Sequence, residues 1–421
     1  MIKATDIARW RLTKKSYKGN TGYGVVDSWV ADALAAAKAG LGLVDLPLVG
    51  DSNTTVNSSG WLAGLPLGFR DRGGKIYSTG LVGAGMAVGS GFAIQHWTAF
   101  STAIGAQSGA PANLDDELTQ FQLHGYAYIT APAGIIKRNR IFPDVFGAAN
   151  GETWRYWMEY GDFAAGGGSF VLRAQLDISP YTVRAESPSI VCNVGDNTKL
   201  AYLDFTVPTQ DAHAVGITSA AANVWLGYSS IDRLNIGGIC THFLASYGGW
   251  LLTGSSATSF LKLLKTYSQT RVGAFLARIR RKQMLMGYAP KIIVVQIWGA
   301  NDTSVGKIEF KANLLECMEW FRGAYALAGG QEEELGFLLM ADHRYDDVGS
   351  AFQLAREAFS AACDEIALSI PRVASFNLQT MFTAAEGDAN GWYPSPADHS
   401  HLSATGYRAL ADRSFQRVFG L

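Results

Sequence analysis

A chain of 421 residues, 48% hydrophobic and 17% charged, can bury a large core and exceeds the usual span of one domain, so a second unit or a long insertion is expected. The formal net charge of -1 gives no bulk electrostatic reason for nucleic acid or an anionic membrane as partner. No segment reaches the run of about 18 uncharged apolar residues that a membrane span needs.

In chain order, the start MIKATDIARWRLTKKSYKGN is basic but has no continuous apolar stretch with a small-residue cleavage site, so no secretory signal is visible. The first apolar run, LGLVDLPLVG, ends at Gly50 and passes at once into Asp51, Ser52 and small polar residues, which reads as a buried parallel strand entering a turn. The glycine-rich GLVGAGMAVGSG that follows lacks the strand, helix start and acid of a dinucleotide site, and no cofactor is expected from it. Over residues 105–218 the helical period disappears. Short alternating runs such as SFVLRAQLDI and KLAYLDFTV, separated by Gly, Pro, Asn and Asp, carry the strand and turn signals of a β-sandwich. An inserted all-β domain is therefore expected at 105–218, splitting a host domain into 1–104 and 219–421.

Beyond the insertion, SSATSFLKLLKTYSQTRVGAFLARIRRKQ has apolar residues at helical spacing and predicts one long helix or two end to end. KIIVVQIWG and LGFLLMADH read as two more buried strands. KANLLECMEWFRGAYALAGG and AFQLAREAFSAACDEIAL read as helices, and HLSATGYRAL as a loop entering a last one. Strands alternating with helices predict a doubly wound α/β sheet, whose functional groups collect at the carboxyl ends of the strands, where Ser52 and Asn301 fall.

Near the C-terminus, PADHSHLSATGYRAL places Asp398 three positions before His401. A carboxylate there can fix the imidazole tautomer and leave the other ring nitrogen facing a nucleophile, which completes a Ser52, Asp398, His401 set. In IWGANDTS, Asn301 follows a strand end and can aim its amide at an acyl oxyanion. In FLASYGGWLLTGSSAT a glycine can present a bare backbone N–H; Gly249 suits this, with Gly248 and Gly254 as alternatives.

These segments, Gly50-Asp51-Ser52-Asn53, a glycine block, Gly299-Ala300-Asn301-Asp302 and Asp398-His399-Ser400-His401, resemble in content and order the four blocks of the SGNH hydrolase superfamily, the GDSL esterases and lipases. The first block reads GDSN where many members have GDSL. The resemblance covers roughly residues 40–100 and 225–421. It implies a three-layer α/β/α, flavodoxin-like fold with a parallel sheet. It also implies Ser52 as nucleophile, His401 as base, Asp398 as its orienter, and an oxyanion hole of Ser52, Gly249 and Asn301. The activity implied is that of a serine esterase acting through an acyl-enzyme on O-acyl, chiefly O-acetyl, esters. An inserted β-sandwich adds the expectation of a glycan substrate. A general short-chain esterase or lipase, and a non-catalytic carbohydrate-binding or adhesion protein on the same scaffold, are the alternatives.

Plainer roles are expected for the neighbours. Asp51 and Asp302 read as turn or cap residues holding backbone N–H groups. His399 is the alternative base, set aside because adjacent turn residues diverge. His96, His124, His213, His242 and His343 show no metal spacing, and no metal or cofactor is expected. Trp250, Trp298, Trp392 and Tyr393 read as core packing before substrate stacking. Cys192, Cys240, Cys317 and Cys363 form no CxxC pair and read as buried thiols.

Overall fold

The structure, a computed structural model, describes residues 18–54, 60–83, 96–98, 104–105, 127–129, 135–141, 143, 145–162, 168–176, 182–192, 197–209, 211, 213–219, 224–246, 251–252, 259–266, 269–302 and 304–421. A hairpin of β1 (Lys18–Asn20) and β2 (Gly24–Asp27) leads into α1 (Ser28–Lys38), whose N-terminus is capped by the Asp27 carboxylate accepting from the N–H groups of Trp29 and Val30. Then come β3 (Leu43–Gly50), a 3-10 turn at Ser52–Thr54 and α2 (Gly60–Asp71). The chain returns to this sheet with β4 (Gly238–Ser246), followed by α3 (Phe260–Thr266) and α4 (Gln269–Leu285), so the long helical segment is two helices. The remainder alternates: β5 (Ile292–Trp298), α5 (Lys307–Leu327), β6 (Leu335–Ala341), α6 (Ala351–Ser369), β7 (Val373–Phe376), α7 (Ala384–Ala389) and α8 (Ala404–Phe419).

These strands form one seven-stranded sheet in the order β1-β2-β7-β6-β5-β3-β4, parallel from β7 through β4 and antiparallel only at the β1–β2 and β2–β7 pairs. Taken in chain order, the five parallel strands run 2-1-3-4-5 across the sheet, the flavodoxin-like order. Side-chain alternation divides the core by face. Val44, Leu46, Leu48, Val295, Ile297, Leu338 and Met340 pack under α1, α2 and α8. Val49, Val294, Trp298, Phe337, Leu339 and Ala341 pack under α3, α4, α5 and α6. Pro47 sits inside β3 although it has no N–H to give a ladder, and the pairing of β3 with β5 passes from Asp45 to Leu48, Val49 and Gly50, skipping Leu46 and Pro47.

A second architecture lies between α2 and β4. Two antiparallel six-stranded sheets are built from strands lying between Val82 and Arg233. One contains Ser169–Leu176, His213–Ser219 and Ile135–Ile141; the other contains Asn197–Val207, Glu152–Asp162 and Val224–Arg233. Phe170, Leu172, Val215 and Ile217 of the first share one core with Trp154, Tyr156, Leu203, Phe205 and Ile231 of the second, as in a sandwich. The strands reach beyond 105–218 on both sides. Val82–Gly83 is too short to show a period, and Val224–Arg233 is broken in pattern by Gly227, Ser229 and Ser230.

The two parts meet through apolar and polar contacts. Ala63 of α2 and Ile76 belong to the sandwich core, Ile76 bridges Ile239 of β4, and Ser78 bridges Asp232. Beneath them lies a buried polar cluster. The Lys282 ammonium of α4 sits 3.3 Å from Asp232 and 3.9 Å from Asp45 of β3, and donates to the Ser78 hydroxyl at 3.1 Å. Asp45 also accepts from the Tyr77 hydroxyl at 2.6 Å and from the His242 and Gln283 side chains. Burial alone would push Lys282 down, but Asp232 and Asp45 hold its pKa above the ordinary value. Burial would likewise raise Asp45, and Lys282 and His242 overcome it to hold the carboxylate low.

Candidate active site

Ser52 opens the turn immediately past the carboxyl end of β3. The tightness of that exit depends on Gly50, where a Cβ would come within 2.3 Å of the Ile297 carbonyl oxygen. The Ser52 hydroxyl lies 3.0 Å from His401 Nε2, a hydrogen-bond distance. His401 arrives from the loop between α7 and α8, whose N-terminus is capped by Ser403 accepting from Gly406 N–H. On the other side of the ring, Nδ1 is 3.6 Å from Asp398 Oδ2, within ion-pair range but too long for a direct hydrogen bond. Asp398 is itself oriented by the Ser400 N–H, which donates to its other oxygen at 3.0 Å.

Asn301 lies half-buried past the end of β5, two residues beyond Gly299, whose φ of 117° is in the left-handed region. The turn that carries it is tied to the Ser52 turn by Asp51. One Asp51 oxygen accepts from Asn53 N–H at 2.9 Å and the other from Ala300 N–H at 3.2 Å, while the Asp51 N–H donates to the Ile297 carbonyl. Burial, with Asp342 and Asp302 nearby, pushes the Asp51 carboxyl up to about 8. Asp302 accepts from Leu252 N–H at 3.2 Å and so draws the chain after β4 toward the same strand ends. Gly248, Gly249 and Gly254, and Trp250, lie outside the described residues.

His399 is committed elsewhere. Its Nδ1 meets the Tyr345 carbonyl at 2.9 Å, its Nε2 meets Asp388 at 3.0 Å, and its ring stacks on Tyr393 at 4.0 Å between centroids. Trp298, Trp392 and Tyr393 are buried, Trp298 completely, so each is accounted for by packing. The cysteines are free and buried.

Asp45, Cys240 and His242 offer ligand atoms within 4.8 Å of one another. The trio is already satisfied. His242 Nδ1 accepts from Leu81 N–H at 2.9 Å, so its other nitrogen carries the proton given to Asp45, and Lys282 supplies the positive charge an ion would bring. Burial holds His242 below and Cys240 above their ordinary pKa values, which keeps both neutral near pH 7.

Asp51 holds backbone N–H groups as expected of a turn residue, but its reach across to Ala300 was invisible in the sequence. So was a second positioning contact, the hydroxyl of Tyr407 in α8 donating to Asn53 Oδ1 at 2.5 Å. The only sequence signal for it is its place at a buried position of an amphipathic helix, which any core tyrosine shares.

No family model and no curated protein matches the chain. Among solved structures, a peptidoglycan O-acetylesterase superposes with a TM-score of 0.52 at 14% identity, covering 94% of this chain and 95% of its own. The two share a fold. A xylan-binding domain from Paenibacillus barcinonensis Xyn10C aligns with 38% of this chain and 96% of its own, at 9% identity and a TM-score of 0.26.

Proposed function

We propose that the protein is a serine ester hydrolase of the SGNH type that removes O-acyl groups, chiefly O-acetyl, from a carbohydrate. The observation that carries this reading is the Ser52 hydroxyl 3.0 Å from His401 Nε2 at the carboxyl end of a 2-1-3-4-5 parallel sheet. In the first step Ser52 Oγ attacks the ester carbonyl while His401 Nε2 takes its proton. The C–O bond to the sugar then breaks, and His401 returns the proton to the departing alkoxide, leaving an acyl-serine. Water attacks that ester with the same base, and the acid leaves as Ser52 is restored. Asp398 steadies the imidazolium through charge, and its 3.6 Å separation suits that role better than a direct hydrogen bond. The oxyanion is received by the Ser52 N–H, the Asn301 amide and a glycine N–H after β4, for which Gly249 is the candidate.

A carbohydrate substrate is supported by likeness of fold to an esterase of peptidoglycan O-acetyl groups over nearly the full length of both chains. We assign the β-sandwich, expected at 105–218 and spanning strands from Val82 to Arg233, the task of gripping the glycan, and 1–104 with 219–421 the chemistry.

The test is turnover of O-acetylated peptidoglycan and acetylated sugars against p-nitrophenyl esters of increasing chain length. Ser52→Ala and His401→Ala should retain at most a few per cent of activity with an unchanged thermal midpoint, and His399→Ala should keep most of it. An active Ser52→Ala protein removes the nucleophile. Preference for long-chain esters over acetylated sugars points to a lipase, and binding of the glycan without turnover points to an adhesion protein.

A further inference from the structure

The Ser52–His401 hydrogen bond joins two loops that come from opposite ends of the chain, and nothing in either loop alone fixes its length. We infer that Tyr407 is a positioning residue that sets this distance. Its hydroxyl donates to the side-chain oxygen of Asn53, the residue after Ser52, at 2.5 Å, and accepts from the N–H of Leu402, the residue after His401, at 3.4 Å. One oxygen atom thus touches the immediate neighbour of the nucleophile and of the base.

The ring is held independently of that hydroxyl. Tyr407 is fully buried, packs edge-on against Trp61 of α2 with centroids 5.5 Å apart, and passes so near α2 that a Cβ at Gly64 would lie 2.8 Å from its own Cβ. Its backbone N–H is bonded to the Ser403 carbonyl in the first turn of α8. The aromatic ring therefore acts as a rigid post, and the hydroxyl as the contact that places the two loops against it. Burial, with Asp342 close by, raises the phenol well above its ordinary pKa, so it stays a donor throughout the working range.

The inference rests on the Ser52–His401 reading, and the experiment separates the two. Hydrolysis of p-nitrophenyl acetate is measured for wild type, Tyr407→Phe, Asn53→Ala and the double variant, each normalised to active sites titrated by the acyl burst. If the wild type is inactive, the proposed function fails. With an active wild type, Tyr407→Phe should lose between about 10- and 100-fold in kcat, the scale of a misplacement near 1 Å, with KM within about two-fold. Asn53→Ala removes the acceptor and should give a similar loss by itself, so a poorly folded phenylalanine variant does not protect the claim. The double variant should be little worse than either single one, because both remove the same contact. Unchanged kcat in a folded variant, a loss confined to thermal stability, or losses that multiply in the double variant overturn it.

Discussion

Asp51 is the residue at which charge and position are most at odds. It is buried beside Ser52, accepts two backbone N–H groups, and still has its carboxyl pushed up to about 8, because burial and the adjoining Asp342 and Asp302 outweigh those donors. A carboxyl whose folded pKa lies above its unfolded value of 3.8 binds a proton in the folded chain that the unfolded chain has already lost. Its contribution is fully present below about pH 4 and is lost as the pH rises toward about 8. Asp51→Asn, which carries no proton to lose, should differ from wild type by a constant for the broken N–H contact plus a term that shifts in its favour over that interval. Urea midpoints of both proteins across pH 4 to 9 (about the range of the two pKa values) check this, and parallel curves would refute it. The approach of Ser52 to His401, and of Asp398 to the same ring, could be anticipated because each residue lies in a short segment with chemistry in its spacing. Asp51 holding the Asn53 N–H was expected too, but its reach to Ala300 and the Tyr407 bridge were not, because they arise where distant segments pack together.

At the scale of elements, α2 and α8 lie close enough that glycine forms part of their contact. A Cβ at Gly68 would come 2.5 Å from the backbone nitrogen of Asp412, and one at Gly64 would meet Tyr407. Gly68→Ala should cost about 1–3 kcal/mol, as overpacking does, with modest loss of turnover in the folded fraction. Gly64→Ala should cost turnover disproportionately, since it displaces the helix turn that faces Asn53. Equal ratios of turnover to stability loss in the two variants would contradict that division. The strands β3, β5 and β6 could be read from continuous apolar runs, as sheets buried on both faces dictate. β4 was harder to place, because GICTHFLAS carries Thr241 and His242, whose polarity is satisfied only in the folded state by the Leu62 carbonyl and by Asp45. β7, four residues long, is too short to show a period. Alternation exposed the sandwich interior at Ser169–Leu176 and Asn197–Val207, while its margins carried too little pattern to set the ends.

For the whole molecule, the seam between the sandwich and the α/β part decides how separable they are. The strand Val224–Arg233, which pairs along Glu152–Asp162, also delivers Asp232 to Ser78 and Lys282. Excising 105–218 would remove the partner of that strand and uncover Ile76 and Ala63, so the excised core should be poorly soluble. Lys282 carries a further consequence. Its ammonium is shared by a carboxylate from each part, so Asp232 of the sandwich owes its buried cation to a helix of the α/β part, whereas Asp45 and Lys282 belong to the same part. Loosening of the α/β part therefore strands the Asp232 carboxylate in the sandwich without its cation, while melting of the sandwich takes from Lys282 the nearer of its two carboxylates. The protein should come apart in one cooperative heat-absorption peak despite holding two architectures. Lys282→Met, which removes the shared cation at a cost of about 3–5 kcal/mol, should separate that peak into two. A wild type that already melts in two steps would show that the parts fold as neighbours, each on its own account.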